Sequence, residues 1–255
     1  MLTPSTAPAP APDGAPAHYD RLLASVYAWM IGDRAAAQET GKKQLAAAGI
    51  GEARAGQRAL DLGAGLGVHA IPLAEMGYEV TAVDTSEALL DELRAARPGI
   101  RALRGDLVRA EELVEGPFDV IVCLGDTLPH LASLEEITHA LAAASRLLAP
   151  GGRLALTFRD YVSRERRGAD RFLLVRGDDA RVMTCCLDFE PSHVTVTDIV
   201  HDRAAKGWTM RASTYRKVRL ARAWVEGRLG ELGLALEQAD EPPGWLMIVA
   251  TKPAG

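Results

Sequence analysis

Three cysteines in 255 residues, Cys123, Cys185 and Cys186, are too few for a disulfide framework, and their spacing fits no zinc site. No apolar run approaches the ~18 residues of a membrane-spanning helix. The N-terminus lacks a basic stretch followed by an apolar one, so a secretory signal is not expected. Basic excess is missing too: 29 Lys and Arg stand against 34 Asp and Glu, a net charge of −5. That balance removes the electrostatic footprint of a nucleic-acid or anionic-membrane binder. What remains is a chain with 48% apolar and 25% charged residues, the profile of a soluble, cytoplasmic globular protein with room for one large α/β domain.

Residues 1–16 are rich in Pro and Ala and offer almost nothing to bury, so they read as a disordered tail before a domain spanning 17–255. Leu22, Leu23, Val26, Tyr27, Trp29 and Met30 recur at helical intervals up to a break at Gly32, and a second helix over 35–48 ends at Gly49. Short apolar runs then alternate with helical stretches. Strands are expected at 59–62, 79–84, 101–105, 118–124 and 153–158, and helices at 67–77, 86–96 and 133–148. Ser133 with Glu136 forms a capping box, and Ala149-Pro150-Gly151-Gly152 stops the last helix. This rhythm predicts a Rossmann-like, doubly wound, mostly parallel sheet with helices on both faces. From residue 170 to 218 it gives way to four β-rich runs without a convincing helix, an antiparallel insertion after strand five. A helix over 222–232 and two strands, 234–238 and 245–251, complete the chain.

The densest signal is Asp61-Leu62-Gly63-Ala64-Gly65-Leu66-Gly67, a strand running through glycines toward a helix. Such a turn aims backbone N–H groups at a ligand and lets it approach the main chain closely. A dinucleotide fingerprint starting at Gly63 needs glycine at 68, where Val68 stands, which disfavours an NAD-linked oxidoreductase. Asp84 closes the second strand, where a carboxylate can accept both hydroxyls of a ribose. Asp106 and Leu107 follow the third, within reach of a purine, and Leu124 ends the fourth beside the switch-point crevice. Asp84 and Asp106 could equally cap the helices that follow them.

With these four features in order, residues 61–158 resemble the class I S-adenosylmethionine-dependent methyltransferases. The resemblance implies that Gly63, Ala64, Gly65 and Gly67 pass under the methionine part of the cofactor and that Asp61 faces its ammonium through water. It implies Asp84 with Thr85 at the ribose, Asp106 and Leu107 at the adenine, and Leu124 near the amino-acid moiety or ring. Tyr19, Tyr27 and Trp29 would close over the cofactor, or else be the packing face of an N-terminal helix. The run Leu124-Gly125-Asp126-Thr127-Leu128-Pro129-His130-Leu131 is similar to that of glycine and sarcosine N-methyltransferases, departing from them at Asp126 and Pro129. A Pro-Pro-aromatic tetrapeptide of nucleic-acid-modifying relatives is absent.

Methyl transfer is an in-line displacement on an already activated carbon, so proximity in a dry pocket should dominate. His130 is the first candidate for a general base, Asp126 for orienting a substrate amine or capping a helix, and Arg159-Asp160-Tyr161 for holding a carboxylate or hydroxyl. No metal set is expected. Cys185 and Cys186, adjacent on a strand, should point to opposite faces. The Arg164–Arg167 run reads as a solvated loop. The insertion would act as a lid encoding substrate choice, with Trp208 and Met210 lining a pocket or its core, and its strand edges could pair in a homodimer. The expected activity is methylation of a nitrogen or oxygen of a small-molecule metabolite, in the manner of natural-product tailoring. A cyclase-type use of the same cofactor, or a silent cofactor-binding regulator, stays open at this level.

Overall fold

A computed structural model describes residues 14–239, 241 and 244–254. Helix α1 (Ala15–His18) runs through one π-helical turn, Tyr19–Leu23, into α2 (Ala24–Ile31), and Gly32 at φ +83° ends the run. Asp33 caps α3 (Arg34–Ala47) by accepting from Ala36 N at 2.8 Å. The proposed tail therefore ends earlier than expected: Ala15 is already buried and helical, because the insertion offers it an apolar seat. Residues 1–13 of that tail lie outside the described residues.

The body follows as β1 (Arg58–Leu62), α4 (Ala70–Glu75), β2 (Glu79–Asp84), α5 (Glu87–Ala96), β3 (Arg101–Arg104), α6 (Ala110–Leu113), β4 (Phe118–Cys123), α7 (Leu134–Leu147) and β5 (Leu148–Arg159). After the insertion come α8 (Arg222–Glu231) and two more strands, Ala235–Glu237 and Trp245–Thr251, numbered β10 and β11 below. The seven-stranded sheet has the order β10-β11-β5-β4-β1-β2-β3, with β1 to β5 parallel and β11 antiparallel to β5. The order reverses at β1 and β4, the place where doubly wound sheets open a crevice.

Continuous apolar runs in this sheet follow from burial on both faces. On β4, Ile121 and Cys123 join Ile137, Leu141 and Ala144 of α7, while Val120 and Val122 join Leu45 of α3 and Leu90 and Leu93 of α5. Each fully buried leucine of this kind contributes ~1.5–3 kcal/mol. The capping box appears with a one-residue shift: Ser133 Oγ accepts from Glu136 N, and Glu136 Oε2 accepts from Ala132 N at 2.8 Å. Helix α4 starts three residues later than periodicity suggests, because Gly67 has φ +93° and a Cβ there would lie 2.5 Å from Leu93 Cδ1.

The insertion consists of β6 (Phe172–Gly177), β7 (Arg181–Phe189), β8 (His193–Ala204) and β9 (Gly207–Val218), an antiparallel sheet in that order. Its inner face meets the N-terminal helices: Met183 and Val200 pack on Leu22, Leu23 and Val26, and Leu187, Val194 and Tyr215 pack around Ala15 and Tyr161. Cys185 is buried on that face and Cys186 half-buried on the other. Among the described residues no helix is long and apolar enough to cross a membrane.

Candidate functional site

A cavity of about 890 Å³ opens at the carboxyl ends of β1 to β4, roofed by α1, the π turn and part of the insertion. The glycine loop after β1 is tied to β2, since Gly63 N and Ala64 N both donate to Val83 O, at 2.8 and 3.1 Å. Gly63 has φ +79°, and a Cβ there would meet Thr127 Cγ2 at 2.2 Å, so only glycine lets the loop pass the β4 turn. Asp84 Oδ2 accepts from Gly65 N at 2.7 Å and Oδ1 accepts from Ser86 N at 2.8 Å. Burial pushes this carboxyl above the usual range, and those N–H groups draw it partly back.

Gly63, Ala64, Gly65, Asp84, Thr85, Asp106, Leu107 and Leu124 all line the cavity. Asp106 also caps the following turn through Val108 N, 2.9 Å away, while it lines the cavity. Asp61 stands behind the loop, 1% exposed, with Oδ2 lacking any hydrogen-bond partner. Burial, with Asp84 nearby, raises its carboxyl to about 7. An orphaned acidic oxygen, a glycine loop and two carboxylates at successive strand ends fit a ligand that brings a cation, a diol and a purine.

Tyr19, Tyr27 and His130 form the opposite wall. Tyr19 lies 5.9 Å from Tyr27 and 6.0 Å from His130, between ring centroids. Burial raises both phenols, which keeps them protonated. Burial, then the Lys217 ammonium and His18, hold His130 well below the usual imidazole range, so the ring is neutral at pH 7.

Several expected site residues lie elsewhere. Trp29 turns from the cavity: its indole donates to Asp178 Oδ2 at 2.5 Å and sits between the guanidiniums of Arg176 and Arg181. Gly67 is tucked beneath Leu93 and Ile71. Asp126 has φ +73° and is consumed by structure, with Oδ1 accepting from Arg159 N at 2.8 Å and Oδ2 2.5 Å from Lys217 Nζ. Arg159 lays its guanidinium over Trp245, 4.4 Å from the ring centroid. Asp160 accepts from Val162 N and Ser163 N in its own turn, and Tyr161 packs in the insertion core. Trp208 and Met210 line neither pocket nor core, being 51% and 64% exposed.

Other residues escaped sequence reasoning. Lys217 is buried against Asp126; burial alone would lower its pKa, but that carboxylate lifts it well above the ordinary value. His18 Nε2 lies 3.0 Å from Asp198 Oδ2, and its ring stacks at 4.1 Å on Tyr215, which stacks at 5.3 Å on His130. His69 Nε2 meets Gln44 Oε1 at 2.7 Å on the cavity wall, and burial lowers its imidazole to about 4. These partners are separated by up to 180 residues, and no local motif announces them.

Residues 59–152 match the profile of a methyltransferase domain. Glycine/sarcosine N-methyltransferase of Aphanothece halophytica is 33% identical over 109 residues, a stretch covering 41% of each chain. So the match spans about two fifths of that curated relative. The CcbJ methyltransferase of Streptomyces caelestis superposes with a TM-score of 0.75 at 25% identity, over 92% of this chain and 98% of that one. CalS10, an amino pentose methyltransferase of Micromonospora echinaspora described with S-adenosylmethionine bound, gives 0.73 at 22% identity, over 90% and 96%. The acid-tipped strands, the glycine turn between them and the relatives that share this body mark residues 59–152 as a methyltransferase domain of the class I S-adenosylmethionine-dependent type.

Proposed function

We propose that the chain methylates the nitrogen of a small-molecule amine. The observation that carries the reading is the neutral His130 imidazole set in the cavity wall among Tyr19, Tyr215 and the end of β4. Relatives named for glycine or sarcosine and for the N-terminus of cypemycin support an amine, whereas others are named for a quinone or for O-methylation.

S-adenosylmethionine, when bound, supplies a methyl group on a positively charged sulfur. The residues around it do the rest. Asp84 and Asp106 offer their free lone pairs to a diol and an exocyclic amine, and Asp61, behind the glycine loop and outside the cavity wall, keeps a carboxylate oxygen unpaired for an ammonium reached through water. Tyr19 and Tyr27 present neutral ring faces, which attract a cation without reacting with it. An amine is a nucleophile only with its lone pair free, and His130 can accept the proton it sheds. Fixing the two reactants can contribute ~7–11 kcal/mol, and such a base a further 10²–10⁴-fold, so the cavity does more than the histidine.

The test is calorimetric titration with S-adenosylmethionine and, separately, NAD, followed by a mass-spectrometric screen of small amines and matched alcohols. Binding of S-adenosylmethionine and gain of a methyl group on amines is expected. Binding of NAD alone, or methylation of the alcohols alone, would overturn the proposal.

A further inference from the structure

A buried acid on the inner face of the insertion interrupts an otherwise apolar row. Asp198 stands on β8 between Val196 and Val200, 4% exposed, with Cys185 of β7 and Ser213 of β9 as its cross-strand neighbours. Its hydrogen bond to His18 Nε2, 3.0 Å long, joins residues 180 positions apart, and His18 is itself fully buried. The polar groups around it are incompletely satisfied, since His18 Nδ1 and Ser213 Oγ lack a hydrogen-bond partner. Such a pair is a poor stabiliser, because apolar side chains of similar size at both positions do as well or better. What a hydrogen bond supplies and apolar packing does not is direction. The ring it directs begins a column: His18 stacks on Tyr215 at 4.1 Å and 27°, and Tyr215 stacks on His130 at 5.3 Å and 26°. Tyr19 borders both ends, 6.2 Å from His18 and 6.0 Å from His130.

We infer that His18 and Asp198 are positioning residues for methyl transfer: they anchor the far end of the ring column and so hold the His130 imidazole in the orientation that faces the acceptor nitrogen. The inference rests on His130 as the proton acceptor proposed above. Ring contacts let aromatic groups slide past one another, and a hydrogen bond at one end of the column removes that freedom. The need is strict, because a base acts only within ~2.6–3.2 Å of the atom whose proton it takes. His130 is reached through Tyr215 alone on this side, and neither His18 nor Asp198 lines the cavity, so neither touches the reactants. The carboxylates that await the cofactor, Asp84 and Asp106, stand at strand ends of the other sheet. Disturbing the pair should therefore lower kcat while sparing acceptor KM and cofactor affinity.

Two variants of the full chain test this. His18→Leu combined with Asp198→Val replaces both polar groups at once, so thermal melting should stay at or above that of the wild type. Asp198→Asn keeps an acceptor for His18 Nε2 and should behave as the wild type. With the histidines labelled for NMR, the His130 ring signals, assigned through His130→Gln, should shift and broaden in the double variant and stay sharp in Asp198→Asn. On the amine methylated in the screen above, the double variant should lose about 10-fold in kcat, with KM and calorimetric affinity for S-adenosylmethionine within about twofold of wild type. Added to His130→Gln, it should cost nothing further. Unmoved His130 signals, a double variant that melts well below wild type, an equal loss in Asp198→Asn, or a loss that adds in full to that of His130→Gln overturns the inference and leaves His130 as the base. A kcat unaffected by His130→Gln overturns the reading beneath it as well.

Discussion

In the seven-stranded sheet the groups facing the cavity sit where strands end, whereas in the four-stranded sheet the groups that back its wall sit along a strand at every second residue. Asp84, Asp106 and the glycine loop act from turns, with help from backbone N–H groups. Tyr215 and Lys217 act from one face of β9, and Asp198 from the same face of β8. The first device recognises a fixed ligand and tolerates little change in the turn. The second can be rewritten one side chain at a time without moving the backbone, which suits the half of a site that must distinguish substrates.

The sharpest way to break this division is at the joint between the halves. Lys217→Met leaves the Asp126 carboxylate buried and unpaired and should cost about 3–5 kcal/mol in chemical denaturation. Adding Asp126→Asn should restore most of it; no recovery would show that the pair is not the joint. On the acceptor side, His130→Gln should lower kcat ~100-fold while leaving the affinity for S-adenosylmethionine unchanged. Because burial holds His130 below the usual imidazole range, wild-type kcat at saturating cofactor should persist on acidification past pH 6 rather than fall with an ordinary histidine.

On the cofactor side, Asp84→Ala removes an acceptor that also pins Gly65 and Ser86, and should weaken cofactor binding about 30-fold in calorimetry. Asp61 offers a pH test. Its raised carboxyl, near 7, must ionise to hold a cation, so affinity should rise about tenfold from one unit below to one unit above that value. Stability of the free protein should move the other way. The folded state keeps this proton longer than the unfolded chain, so stability declines as pH climbs from the ordinary carboxylate range to about 7. Asp61→Asn should flatten both trends. The smallest effect is expected at Trp29→Phe, which loses one exposed hydrogen bond and should change stability by under about 1 kcal/mol and cofactor binding not at all. A large loss of binding would return Trp29 to the site.

The same division explains what could be read from sequence. β2 falls at 79–84 as expected, and the turn after β1 is legible because glycines and carboxylates adjacent in sequence are adjacent in space. The four strands of the insertion are also legible, from their β-branched residues and intervening turns. Their side-chain roles are not, because alternation says that two faces exist but not which structure each meets. Asp126 shows the limit most plainly. It stands in the expected loop, yet its role was fixed by a lysine 91 residues away. Trp29 failed for a related reason: helical spacing placed it with Tyr27, but the last turn of α2 faces Asp178 and two arginines rather than the crevice.

The single π-helical turn at Tyr19–Leu23 carries one more residue than an α-turn would, and that surplus sets the angular phase of everything before it. Removing Asp20, an exposed residue that makes no wall of the cavity, would let the segment relax into an uninterrupted α-helix. The shortened helix would swing Ala15 and His18 round its axis by roughly 100°. His18 would then leave Asp198 and Tyr215 although no residue of that contact had been altered, so register in this turn governs the roof of the cavity as firmly as composition does.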